Sequence, residues 1–322
     1  MLVTGGAGFI GSHLVEALVE AGSRVRVLDD FSSGRREHLA DVAGVADVVE
    51  GDVCDEATLD RVFAGVDVVF HLATRGVRLS LSQPVEVHRV NSEGTLRALW
   101  AARRAGVGRF VYVSSSEVYG TAVTVPMSEG HPLAPTTVYG ATKLAGEHYA
   151  RAMTESFGLP TVIVRPFNTY GPRAHFEGAY GEVIPRFTVR LLNGLPPVMF
   201  GDGMQTRDFT YVTDTVRGIL FAATRGAGTG EIVNVARGEE VSILRIARLL
   251  GEAVGHALDP THAEARPADV RRHWADVSLA RERLGFTASV GIEEGLRRYL
   301  EWFRATYRDP AACLAGHVER NW

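Results

Sequence analysis

The sequence predicts an α/β fold: a doubly wound parallel sheet with a smaller, discontinuous α/β lobe closing over it. Three observations carry this. Short β-branched runs alternate with amphipathic helical stretches, a glycine-rich loop joins the first run to the first helix, and the alternation loosens after Pro166. Strands that alternate with helices pair in parallel, because a parallel neighbour is reached only through a crossover connection. Such sheets bind ligands beyond the carboxyl ends of their strands.

Strands are read at Leu2–Thr4, Arg24–Asp29, Asp47–Glu50, Val66–Leu72, Arg109–Ser114 and Thr161–Pro166, and helices at Ile10–Ala21, Val85–Ala105 and Val138–Phe157. Gly22 and Gly106 stand where helix C-caps belong, and Gly158-Leu-Pro160 stops the third helix. Residues 170–205 scatter Gly171, Gly178, Gly181, Gly194, Pro196 and Pro197 among short apolar stretches. Residues 206–236 read as a helix and a strand that rejoin the sheet. Amphipathic helices follow at Ile243–Val254 and Ile292–Phe303. The expected division is therefore 1–169 with 206–236 as one domain, and 170–205 with 237–322 as the other.

With 322 residues, 46% of them hydrophobic, the chain can bury one large core and a smaller one. A net charge of −4 gives no broad attraction to nucleic acid or to an anionic membrane. Cys54 and Cys313 match no metal spacing and no disulfide framework. Apolar runs such as Val66–Leu72 fall far short of the roughly 20 residues that span a bilayer. Met1-Leu-Val-Thr4 enters a strand with no readable secretory signal, so the expected location is cytoplasmic, with no nucleic-acid or membrane partner.

Thr4-Gly5-Gly6-Ala7-Gly8-Phe9-Ile10-Gly11 leaves the first strand and opens the first helix. Gly5 permits the tight turn, Gly8 lets a pyrophosphate approach the backbone, and Gly11 allows close packing at a helix N-terminus, which makes this a Rossmann dinucleotide loop. Asp29 lies 18 residues beyond Gly11, where an acid can bond ribose hydroxyls and repel a 2′-phosphate. NAD is expected over NADP. Turn formation before Phe31-Ser-Ser-Gly34 is the other reading of Asp29 and Asp30. Asp52, ahead of Val53, either faces the adenine or only caps a helix.

Lys143 is the chain's sole lysine among 34 basic residues, and it stands four residues after Tyr139. Arginine replaces lysine wherever charge and reach suffice, so a surviving lysine marks a place that needs a compact ammonium. A codon-biased genome offers a blander account. On a helix the two side chains share one face. The ammonium is then expected to lower the tyrosine from about 10 toward neutrality and make it a general base.

These residues resemble the extended short-chain dehydrogenase/reductase family, in particular its NAD-dependent nucleotide-sugar epimerases, decarboxylases and dehydratases. Besides the glycine loop and Tyr139…Lys143, the resemblance rests on His71-Leu-Ala73, Asn91 with Gly94-Thr95, Ser114-Ser-Ser-Glu-Val-Tyr-Gly120, Arg165-Pro-Phe-Asn168, Gly201–Phe209 and Arg266-Pro-Ala-Asp269-Val-Arg271, and it spans nearly the whole chain. It implies a UDP-sugar substrate, a homodimer packed through the helices at 85–105 and 138–157, and NAD as cofactor. By the same matching, NAD contacts Gly5, Gly8, Phe9, Ile10, Gly11, Asp29, Asp30, Asp52, Val53, Leu72, Ala73, Thr74, Asn91 and Ser114, together with Tyr139 and Lys143. Ser115 bonds the reacting hydroxyl, Asn168 and Val183 contact the substrate, and Arg207, Arg266 and Asp269 hold the nucleotide diphosphate and ribose.

Ser116 and Glu117 complete the expected catalytic set. Glutamate at position 117 is similar to uronate decarboxylases, and the dehydratase aspartate is replaced by Ser116. Gly178–Pro185 is closer to 4-epimerases. The loop Gly76-Val-Arg78-Leu-Ser80 is similar to epimerases acting on UDP-glucuronate, so Arg78, with Ser116 and Thr169, is expected to hold a substrate carboxylate. The expected activity is 4-epimerisation of a UDP-sugar, UDP-glucuronate slightly favoured over UDP-glucose. UDP-glucuronate decarboxylation stands second, 4,6-dehydration third, and a non-catalytic dinucleotide sensor last.

Overall fold

The computed structural model describes residues 1–225, 228–256, 258–266 and 268–316. Pro267 of the Arg266–Arg271 motif and residues 317–322 of the expected second lobe lie outside them. A seven-stranded parallel sheet forms the centre. Its spatial order is Asp47–Glu50, Arg26–Asp29, Leu2–Thr4, Val68–His71, Arg109–Val113, Thr161–Pro166 and Ile232–Val235. The order reverses between Leu2–Thr4 and Val68–His71, and a crevice opens there at the strands' carboxyl ends.

Two apolar clusters cover the two faces, one holding Leu14, Val15, Val162 and Ile219, the other Leu59, Phe63, Leu99 and Phe110. Each such side chain, fully buried, contributes about 1.5–3 kcal/mol. A third cluster, with Tyr170, Phe187, Ile246, Tyr299 and Phe303, is built wholly from residues beyond 169.

The helix Val138–Phe157 is set by local chemistry at both ends. The Thr137 hydroxyl accepts the Gly140 amide at 3.1 Å, and Gly158 closes it at φ 70°. The stretch expected as one helix over 85–105 is instead Pro84–His88, a π-helical turn Arg89–Gly94, and Thr95–Ala105. Asn91 sits in that turn. Its side chain bridges the Arg75 amide at 2.7 Å and the Arg75 carbonyl at 3.1 Å, pinning the loop after Val68–His71. The glycine-rich stretch 170–205 contains a helix, Val183–Leu192, and short helices at Glu56–Phe63 and Ser278–Leu284 also lay outside the sequence reading. Within 206–236, Thr206–Asp208 pairs antiparallel with Glu240–Ser242, while Ile232–Val235 joins the main sheet beside Thr161–Pro166. Among the described residues no helix is long and apolar enough to cross a membrane.

Candidate active site

A cavity of about 450 Å³ runs from the glycine loop to the third apolar cluster. At one end, Gly5 turns at φ 71°, where a Cβ would stand 2.7 Å from the Ala73 amide nitrogen. A Cβ on Gly11 would lie 2.1 Å from the Gly5 carbonyl oxygen. On Gly8 it would meet only that carbonyl, at 3.2 Å, and Gly8 begins the Phe9–Glu20 helix with no side-chain cap. The result is a helix N-terminus with free amides and an open approach, which fits a pyrophosphate.

Asp29 is 7% exposed, and its two oxygens accept the Ala7 amide at 2.9 Å and the Phe31 amide at 2.8 Å. It therefore shapes the turn and lines the cavity together. Burial raises its pKa, against those two amides. Asp30 lines the cavity too, with its carboxylate on Arg75 at 2.9 Å and on the Ser32 amide at 3.0 Å. Asp52 is not among the lining residues. Its carboxylate binds the Cys54 amide and Arg89 at 2.8 Å each, and Asp55 caps the next helix. Asp55 rather than Asp52 is therefore the helix cap, and Arg89 reaches Asp52 from the π-turn. Asn91 likewise acts on the Arg75 backbone rather than lining the cavity. Phe9, Ile10, Val53, Leu72, Ala73, Thr74 and Ser114 all line it.

Tyr139, Lys143, Ser115, Ser116 and Glu117 meet at the middle. Ser115, two residues past the strand Arg109–Val113, has a hydroxyl that accepts the Glu117 amide at 3.2 Å and also hydrogen-bonds Tyr139. The Lys143 ammonium donates to the Val113 carbonyl at 2.9 Å and stands 5.9 Å from the Tyr139 ring centre. Here one expectation is corrected. Burial pushes the Tyr139 hydroxyl up to about 12, against the Ser115 hydrogen bond, with Glu117 and Glu182 adding to the rise. Burial also draws Lys143 down to about 7, with Glu147 working against it. Stripping water from both groups outweighs their mutual attraction, so the lysine alone does not make the tyrosine acidic.

Toward the other end stand Arg78, Asn168, Thr169, Val183, Arg207, Arg266 and Asp269. Arg207 is 9% exposed and pairs with Asp269 at 2.7 Å. Burial lowers Arg266 to about 10, and the neighbouring cations Arg78 and Arg207 lower it further. Three guanidiniums gathered against their own repulsion favour an anion among them. Arg78 Nε and Asn168 Oδ1 are buried without a hydrogen-bond partner. Thr169 shares a 3.0 Å hydrogen bond with Thr215. The Glu117 carboxyl is raised by burial, while Arg207, Arg78 and Arg266 lower it.

Sequence reasoning missed Glu182, Arg186, His175 and Arg75, which also line the cavity. Glu182 is raised by burial to about 7, with Arg78 opposing. The available signal was Arg186, a charge inside the apolar run Val183-Ile-Pro-Arg-Phe187.

Residues 1–236 match the model of the NAD dependent epimerase/dehydratase family. The chain is 40% identical over 309 residues to the UDP-glucose 4-epimerase of Mycolicibacterium smegmatis, covering 94% of this chain and 98% of that one. It is 35% identical over 324 residues to the UDP-N-acetyl-alpha-D-glucosaminuronate decarboxylase of Bacillus cytotoxicus, covering 96% and 98%. A solved protein named MoeE5, in complex with UDP-glucuronic acid and NAD, superposes with a TM-score of 0.86 at 38% identity over 95% of this chain and 99% of that one.

Proposed function

Because the chain belongs to the NAD-dependent epimerase/dehydratase family and uses NAD as its cofactor, we propose that it is a UDP-sugar 4-epimerase, with UDP-glucuronate favoured over UDP-glucose. It is an enzyme of the nucleotide-sugar epimerase, dehydratase and decarboxylase group. The observation that carries this reading is the Ser115–Tyr139–Lys143 set sharing one cavity with Arg207, Arg266 and Arg78, the last with its Nε unpartnered. The likeness to MoeE5 with UDP-glucuronic acid supports the same choice.

Bound NAD supplies a hydride acceptor and, when oxidised, a positive ring charge. Tyr139, as phenolate, takes the O4 proton of the sugar and returns it to the epimer. Ser115 holds that hydroxyl and Tyr139 in line, and Lys143 stabilises the phenolate as an ammonium. Arg207 and Arg266 hold the diphosphate, with Asp269 on the ribose, and Asn168 turns its open acceptor toward the substrate. Enclosure keeps water from the transient 4-keto sugar.

The carboxylate must survive the keto stage. It does so near the sugar plane, where the C5–C6 bond overlaps poorly with the C4 carbonyl. Arg78, Ser116 and Thr169 are the donors proposed to hold it there. Decarboxylation is the second reading, favoured by Glu117 and by the decarboxylase relative. Against it, the positive charges of Arg207, Arg78 and Arg266 act on Glu117, opposing the rise that burial and Asp269 cause. The proposed homodimer draws support from exposed Leu96, Trp100 and Phe157 on the two expected helices, where Trp100 and Phe157 touch edge to face at 5.6 Å.

Incubation with UDP-glucuronate, followed by NMR, is expected to give UDP-galacturonate and no carbon dioxide. UDP-xylose instead establishes the decarboxylase. Interconversion of UDP-glucose and UDP-galactose alone removes the role of Arg78 but keeps the 4-epimerase.

The cofactor loop has its own test. Gly11→Ala places a methyl 2.1 Å from the Gly5 carbonyl oxygen, so the loop must open. The purified variant is expected to release less than about a tenth of the normal NAD on denaturation, the equivalent of roughly 1.4 kcal/mol or more in binding. Normal NAD content would remove this loop from the cofactor site.

A further inference from the structure

Beneath Tyr139 and Lys143 lies a buried ion pair for which the reaction above has no use. Glu147, one helical turn beyond Lys143, is 2% exposed, and Arg165 is 1% exposed. Arg165 clamps both Glu147 oxygens, with Nε at 2.8 Å and Nη2 at 2.6 Å, and the Ser114 hydroxyl donates to the same carboxylate at 2.5 Å. Arg165 is itself fixed by the Tyr119 hydroxyl at 2.8 Å, which in turn donates to Asn234 at 2.7 Å. A pair so far from water costs desolvation that its mutual attraction only partly repays, so stability is a poor reason for it.

Its surroundings suggest another. Lys143 is 3% exposed, with the Val113 carbonyl as its acceptor and the Tyr112 ring 5.4 Å away. From the neighbouring strand Val68–His71 comes His71, driven to about 3 by burial and by Lys143, hence neutral. Tyr112 is raised well above its ordinary value by burial, so it is neutral as well. In the protein's own field, before the ring charge of oxidised NAD acts, Tyr139 also keeps its proton. Of the groups facing Lys143, Glu147 is the anion that favours its charge, and Arg165 faces Glu147 from the far side.

We propose that Glu147, its carboxylate locked by Arg165 and Ser114, is a positioning residue that holds Lys143 as an ammonium against the Val113 carbonyl. Arg165 and Ser114 fix where the negative charge sits, and Lys143 carries its effect to the Tyr139 oxygen. Only the catalytic consequence rests on the epimerase reading. The protonation of Lys143 does not.

The sole lysine makes the proposal directly readable. Protein grown on lysine labelled with carbon-13 at Cε gives a single lysine Cε signal, whose shift follows the Lys143 proton. Removing a nearby negative charge lowers an ammonium's pKa, so its proton is lost at lower pH. In NAD-bound Glu147→Gln, the titration midpoint is therefore expected at least about one pH unit below that of the unaltered protein, a tenfold loss of the protonated form above both midpoints. Glu147→Asp, which keeps the charge, should restore most of the difference. The high-pH limb of kcat/KM should fall with the midpoint, because an ammonium is lost as pH rises. If Glu147→Gln does not fold with Arg165 left unpaired, Glu147→Gln/Arg165→Met removes both charges, and a smaller downward movement is expected. An unmoved or raised midpoint in the folded variant overturns the proposal and leaves Glu147 as packing. A lowered midpoint in a protein that epimerises no UDP-sugar leaves the proposal standing and removes the proposed function.

Discussion

Tyr139→Phe is expected to lower kcat by at least ~10²-fold, the scale of removing a positioned general base, with fold and NAD content unchanged. The ring stays and only the hydroxyl goes. The cost in packing is small because that hydroxyl faces the cavity and its side-chain partner is Ser115. In the protein's own field this oxygen holds its proton up to about 12. Each influence that favours the phenolate therefore carries weight in the rate, and taking the oxygen away removes all of them together. Stopped-flow or steady-state assay of a variant with normal circular dichroism and NAD content decides the matter. Turnover near normal would exclude Tyr139 as the base.

Lys143→Arg keeps a positive charge, yet a loss of at least ~10²-fold is expected, the cost of a misplaced group near the reacting atoms. The lysine is 3% exposed and lies between the Tyr112 and Tyr139 rings, 5.4 and 5.9 Å from their centres. A guanidinium is planar and longer and carries five donors, whereas the site offers the ammonium one carbonyl at 2.9 Å. Arginine also cannot give up its proton, while burial has brought Lys143 to about 7, within reach of exchange at neutral pH. NAD retention should weaken along with kcat. Unaltered kinetics would mean that the lysine survived there by accident.

The strands of the main sheet were legible because each is a short β-branched run bounded by turn residues, and Leu2–Thr4, Asp47–Glu50 and Thr161–Pro166 fall where the residues put them. The Val138–Phe157 helix was legible from its amphipathic pattern, with its Gly158 cap visible in the chain. The π-turn at Arg89–Gly94 was not. Its apolar period runs through unbroken, and the turn depends on Asn91 bonding a backbone 16 residues away. Val183–Leu192 was hidden among glycines and prolines whose local preference its buried face overrides.

What the sequence by itself determined is what spacing determines: a glycine loop at the end of a strand, Tyr139 and Lys143 on one helical face, and motifs from distant segments that converge on one cavity. Tertiary structure decided the charges. Asp30 went to Arg75, Asp52 to Arg89, Glu147 to Arg165, and Glu182 entered the cavity unannounced. It also reversed the expected acidity of Tyr139. Spacing along a chain fixes which side chains can meet. How much water each loses, and which distant charge faces it, exists only once the chain has folded, and those two quantities set the protonation on which this chemistry depends.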